Sequence, residues 1–414
     1  MGRENPSKRT INPNGGISRR HFMAAATAFS FTAVKPSAVR ATAANSKIKI
    51  GIIGCGNRGH KMARLFTAHG GYEIAAAADY FRDKVDAMGE KYGIPANRRH
   101  TTLSGYLRLL EADLDAVVIE SPPYFHPIHA SAAVDAGRSV YVAKPVAVDV
   151  PGCRTIAESS RKAAKNKLCF IVDFQTRCDE LFREAIKRVH EGAIGEFAFG
   201  EASYHADNPW KGQVKYLEDD ATNPENRLRA WGLTRALSGD IITEQNIHTI
   251  DVASWIMDSP PVSAVGMGGR KVRRDKGEIW DHFMVIFEYP GNTGVTFSSR
   301  QFHAYDTVPD GIRNRMFGTK GVLETKYDGQ VLIRGENFYR GGTARMGPEA
   351  NIATFHESIT GGDFTNPTAE PSVRSNMVTI LGRTAAYTRR KVSWEEVENN
   401  TERLEFDGLA ALKS

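Results

Sequence analysis

Apolar positions after Asn45 first appear as a β-branched run, Ile48, Ile50, Ile52 and Ile53, the pattern of a strand buried on both faces of a parallel sheet. A helical stretch over residues 61–69 and a second apolar strand over 73–78 follow. The alternation repeats. Residues 115–120 form a strand stopped by Ser121-Pro122-Pro123, and residues 127–136 form a helix. A strand over 139–142, a helix around 152–166 and a last strand over 168–174 complete the series. Strands alternating with helices predict an α/β unit with a doubly wound parallel sheet, whose ligands sit at the carboxyl ends of the strands. From about Thr176 the period shortens. Residues 196–204, 282–289 and 294–302 alternate apolar and polar positions, as antiparallel strands with one covered face do. Tyr289-Pro290-Gly291-Asn292 joins the last two as a hairpin, and residues 239–257 read as one helix. A polar loop is expected over 205–229. The second half is therefore expected to be an α+β domain with a mostly antiparallel sheet.

The turn after the first strand reads Gly54-Cys55-Gly56-Asn57-Arg58-Gly59, a G-x-G-x-x-G sequence between a strand and a helix. In that setting Gly54 permits a tight turn, Gly56 lets a pyrophosphate approach the backbone, and Gly59 packs helix against strand. The helix N-terminus offers unpaired N–H groups and partial positive charge to the phosphates. Asp79 ends the second strand, at the distance expected of a carboxylate that binds a ribose 2′-hydroxyl. This favours NAD over NADP, although Arg82, three residues on, leaves NADP open. Glu120, Ser121, His126 and Lys144 also fall at strand ends of this nucleotide-binding Rossmann unit.

Composition changes the picture at one place. The formal net charge is +6, and within residues 1–43 seven basic side chains, including the pair Arg19-Arg20, face Glu4 alone. All the excess sits there, so the balanced remainder gives no electrostatic case for nucleic acid or a membrane surface. The order within 1–43 is a basic region with paired arginines, a weakly apolar run over 24–34 and a small-residue site at Ala41-Thr42-Ala43. This is the layout of a cleavable export signal of twin-arginine type. Residues 1–43 are thus expected to be a signal read by the twin-arginine translocase, with the mature protein in the periplasm or otherwise exported. No apolar run reaches the roughly 20 residues needed to span a bilayer. Cys55, Cys153, Cys169 and Cys178 have no zinc spacing and are too few for a disulfide framework, and the 12 histidines show no metal-ligand pattern. The expected domains are 1–43, 44–175 (nucleotide-binding) and 176–414 (substrate binding and oligomerisation).

The chain resembles the Gfo/Idh/MocA family of oxidoreductases. The residues that carry the resemblance are Gly54, Gly56, Gly59, Asp79, the run 115–123 with His126, Ala136-Gly137, Lys144-Pro145 and Gly192-x-x-Gly195. His248-Thr249-Ile250-Asp251 with Trp255, and Gly318-Thr319-Lys320-Gly321, complete the set. The resemblance implies oxidation or reduction of a hydroxyl on a carbohydrate (sugar, glycoside or cyclitol), a homo-oligomer, and in exported members a retained nicotinamide cofactor. It implies cofactor contacts through Gly54, Gly56, Asn57, Arg58, Gly59, Asp79, Ser121, Pro122, His126 and Lys144. It also implies a catalytic Lys144 and His248, with Glu244 in the place of an aspartate. The chain departs from the family at Ala143, where a glutamate usually precedes the lysine. It departs again at Ser238-Gly239-Asp240, Glu244 and Asn246. The residues themselves admit this chemistry: Lys144 is placed to polarise the reacting oxygen and His248 to act as base. Glu244, one helical turn before His248, is expected to orient it and favour its protonated form. Asp251 is either a substrate ligand or a core partner. Tyr204, His205, Trp210, Trp231, Arg177, Arg235, Trp280 and His282 are candidate sugar contacts. A second expectation, of a different class, is redox-assisted glycoside cleavage with no net redox change.

Overall fold

The structure, a computed structural model, describes residues 47–305 and 311–414. The expected export segment, 1–43, lies outside them. Six parallel strands form the first sheet: β1 (Ile48–Ile53), β2 (Tyr72–Ala78), β3 (Arg99–His100), β4 (Ala116–Ile119), β5 (Ser139–Ala143) and β6 (Phe170–Asp173). Their order is β3-β2-β1-β4-β5-β6, so the winding reverses between β1 and β4. That reversal opens a crevice at the carboxyl edge of the sheet. The continuous apolar runs have their physical reason here: Ile50, Ile52, Val117, Val118, Val140 and Val142 are all buried, with helices on both faces. Gly54, Glu120, Lys144 and Phe174 each follow one of these strands and share that edge.

The second sheet has nine described strands: β7 (Phe197–Ala206), β8 (Ser263–Gly269), β9 (His282–Tyr289), β10 (Thr293–Gln301), β11 (Gly311–Gly318), β12 (Gly321–Lys326), β13 (Gln330–Gly335), β14 (Tyr339–Thr343) and β15 (Val392–Ser393). They run in the order β14-β13-β12-β11-β7-β10-β9-β8-β15. Every pairing is antiparallel except β7 with β10. The expected hairpin forms, with Thr293 opposite Tyr289. Alternation along β9 buries Phe283, Val285, Phe287 and Tyr289 under the helices and turns Met284 and Ile286 outward. The helix Ala369–Thr388 covers β8 and β9, and Ile247–Met257 covers β7 and β11.

Two expectations need correction. The stretch 205–229 continues β7 to Ala206 and then forms two short helices, Val214–Asp220 and Pro224–Arg229, the second capped by Asn223. The single helix expected over 239–257 is two, Asp240–Glu244 and Ile247–Met257. Both Gln245 and Asn246 donate their backbone N–H to the Ile241 carbonyl, so the turn widens by one residue and the helix axis breaks. The helix Glu349–Gly361 packs back against the first sheet. Its Phe355 packs edge-on against Tyr141, and the Tyr72 hydroxyl donates to the Ile352 carbonyl at 2.8 Å.

Candidate active site

A cavity of about 860 Å³ opens at the carboxyl edge of the first sheet and is roofed by residues of the second half. Its floor is the glycine turn. Gly54 has φ +99°, and a Cβ there would lie 2.5 Å from the backbone of Glu120. A Cβ on Gly59 would stand 2.0 Å from the Gly54 carbonyl oxygen, whereas one on Gly56 would meet nothing within 4 Å. The helix Asn57–His69 starts at this turn with no side-chain cap, so its first N–H groups remain available to an anion. Asp79 also lines the cavity and accepts the backbone N–H of Cys55 at 2.8 Å and of Phe81 at 2.9 Å. Burial raises its pKa, and those two hydrogen bonds oppose the rise. The carboxylate is held rigidly with lone pairs to spare for a ribose hydroxyl. The residues fit a dinucleotide. Gly56→Ala should leave stability unchanged and weaken dinucleotide binding about tenfold or more by occupying open floor. Gly59→Ala should lower the melting temperature instead, and calorimetry with a binding titration separates the two.

Lys144 and the second half meet across this floor. The Lys144 Nζ donates to the Glu244 backbone carbonyl at 2.6 Å and reaches its carboxylate at 3.3 Å. The other Glu244 oxygen accepts the Gln245 amide at 2.7 Å, and Gln245 Oε1 accepts the Tyr204 hydroxyl at 2.6 Å. Glu244 therefore serves Lys144, and its expected role of orienting His248 does not hold. The helix break rotates Glu244 and His248 apart. The His248 ring lies edge-on to Tyr327, 5.2 Å between centroids, and its Nδ1 has no partner among the described residues. Burial, with Lys144 and Arg58 adding, drives its pKa well below the usual histidine value. A neutral imidazole replaces the protonated ring expected from the sequence. Gln175, held by the Tyr327 hydroxyl, completes this wall.

Arg58 does not point freely at the phosphate position. It is ion-paired with Asp173 at the end of β6, and its Nε lies 3.5 Å from Glu120. Ser121 and Pro122 line the cavity beside β4, with the Ser121 hydroxyl 3.0 Å from His129 Nδ1. The two nitrogens of His126 face the carbonyls of Pro145 and Ser121, at 2.8 and 2.7 Å. Satisfying both carbonyls would take a doubly protonated ring. Full burial nevertheless pushes the pKa down to about 4, so at neutral pH the ring is neutral and donates to one of them.

Of the candidate sugar contacts, Tyr204, Trp210 and Trp231 line the cavity; Arg177, His205, Arg235, Trp280 and His282 do not. Asp251, open between two roles in the sequence, takes the core one. Arg177 grips it through Nε at 3.0 and 3.1 Å and through Nη2 at 2.8 Å, with the guanidinium 5.2 Å from the Trp255 ring centroid. Trp280 stacks on Tyr387 at 3.9 Å, away from the cavity. Sequence reasoning missed Gln175, Gln245, Tyr327 and Arg229. Arg229 lies 3.8 Å over the Phe81 ring and 2.9 Å from Asp83, next to Asp79. None of these four sits in a local motif; sheet order and the helix break bring them in. Gln245, adjacent to Glu244, had the only usable signal.

Residues 48–174 match the model of an oxidoreductase family with an NAD-binding Rossmann fold, and residues 182–324 match that of the GFO/IDH/MocA C-terminal domain. The chain belongs to the GFO/IDH/MocA family of oxidoreductases. Its first domain is accordingly an NAD-binding one, matching the cradle described above. Among its relatives, inositol 2-dehydrogenase 3 of Saccharopolyspora erythraea is 28% identical over 242 residues, 58% of this chain and 63% of that enzyme. The match thus spans a little under two thirds of that relative. A glycosyl hydrolase family 109 protein of Shewanella putrefaciens is 26% identical over 229 residues, 49% of this chain and 48% of the relative. For the fold, the aldose-aldose oxidoreductase of Caulobacter crescentus, solved with glycerol, superimposes with a TM-score of 0.66 at 20% identity. That superposition covers 84% of this family member and 99% of the other chain.

Proposed function

We propose that this family member is an NAD-dependent oxidoreductase that acts on a secondary hydroxyl of a sugar, glycoside or cyclitol. One observation carries the reading: Lys144, clamped by Glu244, and a neutral His248 line the same cavity as the glycine cradle. When bound, nicotinamide supplies the hydride acceptor. The remaining work falls to the chain. Gly54, Gly56 and the helix start at Asn57 hold the phosphates, with Gly59 packing that helix on its strand, and Asp79 holds the adenosine ribose. Ser121, Pro122 and His126 form a wall at the β4 end. The Lys144 ammonium, fixed by two contacts to Glu244, stabilises negative charge on the reacting oxygen. His248 takes the hydroxyl proton: the ring is unprotonated at neutral pH, and burial with Lys144 and Arg58 makes it pass the proton on rather than hold it. Tyr204, Gln175, Gln245 and Trp210 offer hydroxyl-reading groups and an aromatic wall. The inositol and aldose relatives support the substrate class. His248→Asn should lower kcat by roughly 10²-fold with NAD affinity unchanged, measured by steady-state rates and a binding titration. Unchanged turnover would remove His248 from the reaction.

A second reading, redox-assisted glycoside cleavage, is favoured by the glycosyl hydrolase relative. Release of aglycone from a nitrophenyl glycoside with no accumulation of reduced nicotinamide would select it, and steady accumulation would reject it. Arg19-Arg20 and the small-residue site after the apolar run support export by the twin-arginine route. Fractionation of cells expressing the chain, with and without both arginines replaced by lysine, tests this. Self-association is supported by the outer face of β8 and β9. There Val265 pairs with Ile286 and Met267 with Met284, and all four are exposed. Light scattering checks it.

A further inference from the structure

We propose that Glu120 is a redox-linked carboxylate, ionised opposite the oxidised nicotinamide and protonated when the cofactor is reduced. The inference rests on the NAD-dependent reading above. Glu120 follows β4, between the Gly54 backbone and Lys144, and its side chain has no solvent exposure. Neither carboxyl oxygen has a hydrogen-bond donor among the described residues. The other buried carboxylates of the site are bonded. Asp173 accepts from Arg58 and Asn351, and Asp79 accepts from two backbone N–H groups. An ion that the fold keeps only for packing is bonded in that way. Glu120 has instead a cation at 3.5 Å and unused lone pairs.

The charges that face it come from three elements. Arg58 stands on the first helix, Tyr141 on β5, Lys144 just after β5, and Asp173 at the end of β6. Lys144 is itself paired with Glu244. The Tyr141 phenol is neutral, since burial raises its pKa far above the ordinary value. Arg58 and Lys144 therefore balance Asp173 and Glu244, and the cluster is neutral when Glu120 is protonated. An ionised Glu120 leaves one net negative charge, which matches the single positive charge of the oxidised ring. On reduction the ring loses that charge, and an ionised Glu120 would stand uncompensated at low dielectric. Uptake of one proton restores neutrality.

The step balances. The substrate C–H bond breaks with its electron pair, which passes as hydride to nicotinamide. The O–H bond breaks and its proton passes to His248 and from there to solvent, returning the imidazole to its neutral form, while the Glu120 carboxylate takes up one proton. The alcohol is oxidised to a carbonyl, the nicotinamide is reduced, and the return half-reaction reverses both transfers. Glu120 is poised for this exchange: burial raises its pKa to about 7 against the pull of Arg58 and Lys144. The cavity histidines do not compete. His126 is pushed down to about 4 and His129 to about 3, and His248 lies well below its usual value.

The test is a pair of titrations of the purified full chain, with NAD and with NADH, across neutral pH. Because the oxidised form favours ionised Glu120, its affinity rises with pH through the Glu120 pKa while that of NADH does not. The ratio of the NAD Kd to the NADH Kd should fall about tenfold over roughly two pH units around neutrality. In Glu120→Gln the ratio should be independent of pH and shifted toward NADH. A flat ratio in the unsubstituted protein overturns the proposal, whether or not the variant folds. An equal slope in the variant also overturns it while leaving the NAD-dependent reading intact. Failure of both nucleotides to bind removes both.

Discussion

Lys144→Met is expected to lower turnover by roughly 10²- to 10³-fold, and also to lower the melting temperature, because it leaves the buried Glu244 carboxylate without its cation. The size of the effect follows from where the ammonium is held. Two contacts to one residue, the Glu244 carbonyl at 2.6 Å and its carboxylate at 3.3 Å, fix Nζ before substrate arrives. A donor already in place at the developing negative charge needs no reorganisation during the reaction. Methionine preserves the length of the stem and removes only the charged donor. The loss should therefore fall on kcat more than on KM. Steady-state rates, a nucleotide titration and a melting curve on the same sample separate the chemical loss from a structural one. Turnover within a few-fold of the unsubstituted protein would remove Lys144 from the chemistry.

Arg177→Met is expected to act on stability alone, with a loss of about 3–5 kcal/mol. Asp251 is fully buried and takes three N–H contacts from that one guanidinium. Removing the cation leaves an uncompensated buried carboxylate, which costs far more than the intact pair contributes over an apolar replacement. The melting temperature should drop by roughly 10 °C, taking about 2–4 °C per kcal/mol for a domain of this size. The double replacement Arg177→Met with Asp251→Leu should recover much of the loss, because it removes the orphaned charge. Neither residue lines the cavity, so kcat per folded molecule should stay unchanged. A drop in kcat without a drop in melting temperature would return Asp251 to the substrate site.

The first sheet was legible because a parallel strand buried on both faces writes itself as an unbroken apolar run. A glycine turn between strand and helix then has few other uses. Lys144 was legible from its place at a strand end. The second half was harder. Its strands β11 and β12 carry charges such as Arg313, Arg315, Glu324 and Lys326 on positions open to solvent, so their alternation is weak in the sequence. The helix break at Gln245–Asn246 was hidden, because nothing there is a glycine or proline; a widened turn around the Ile241 carbonyl makes it. That one extra residue moved Glu244 from His248 to Lys144. The neutrality of His248 was equally hidden, since it depends on Lys144 and Arg58, more than a hundred residues away, and on burial under the second half. Asp251 and Arg177 lie 74 residues apart and no spacing rule connects them. Local pattern located the cofactor cradle, and long-range packing decided which acids serve which bases.

The central claim is that hydride passes from a polyol carbon to nicotinamide in the cavity where Lys144 and His248 meet the glycine cradle. The most direct test offers NAD-loaded protein a panel of inositols and aldoses carrying deuterium at the carbinol carbons, and examines the released nucleotide by mass spectrometry. The account requires deuterium in the nicotinamide ring with at least one member of the panel, and its loss in Lys144→Met. Protein that binds NAD yet transfers no deuterium from any of them would contradict it.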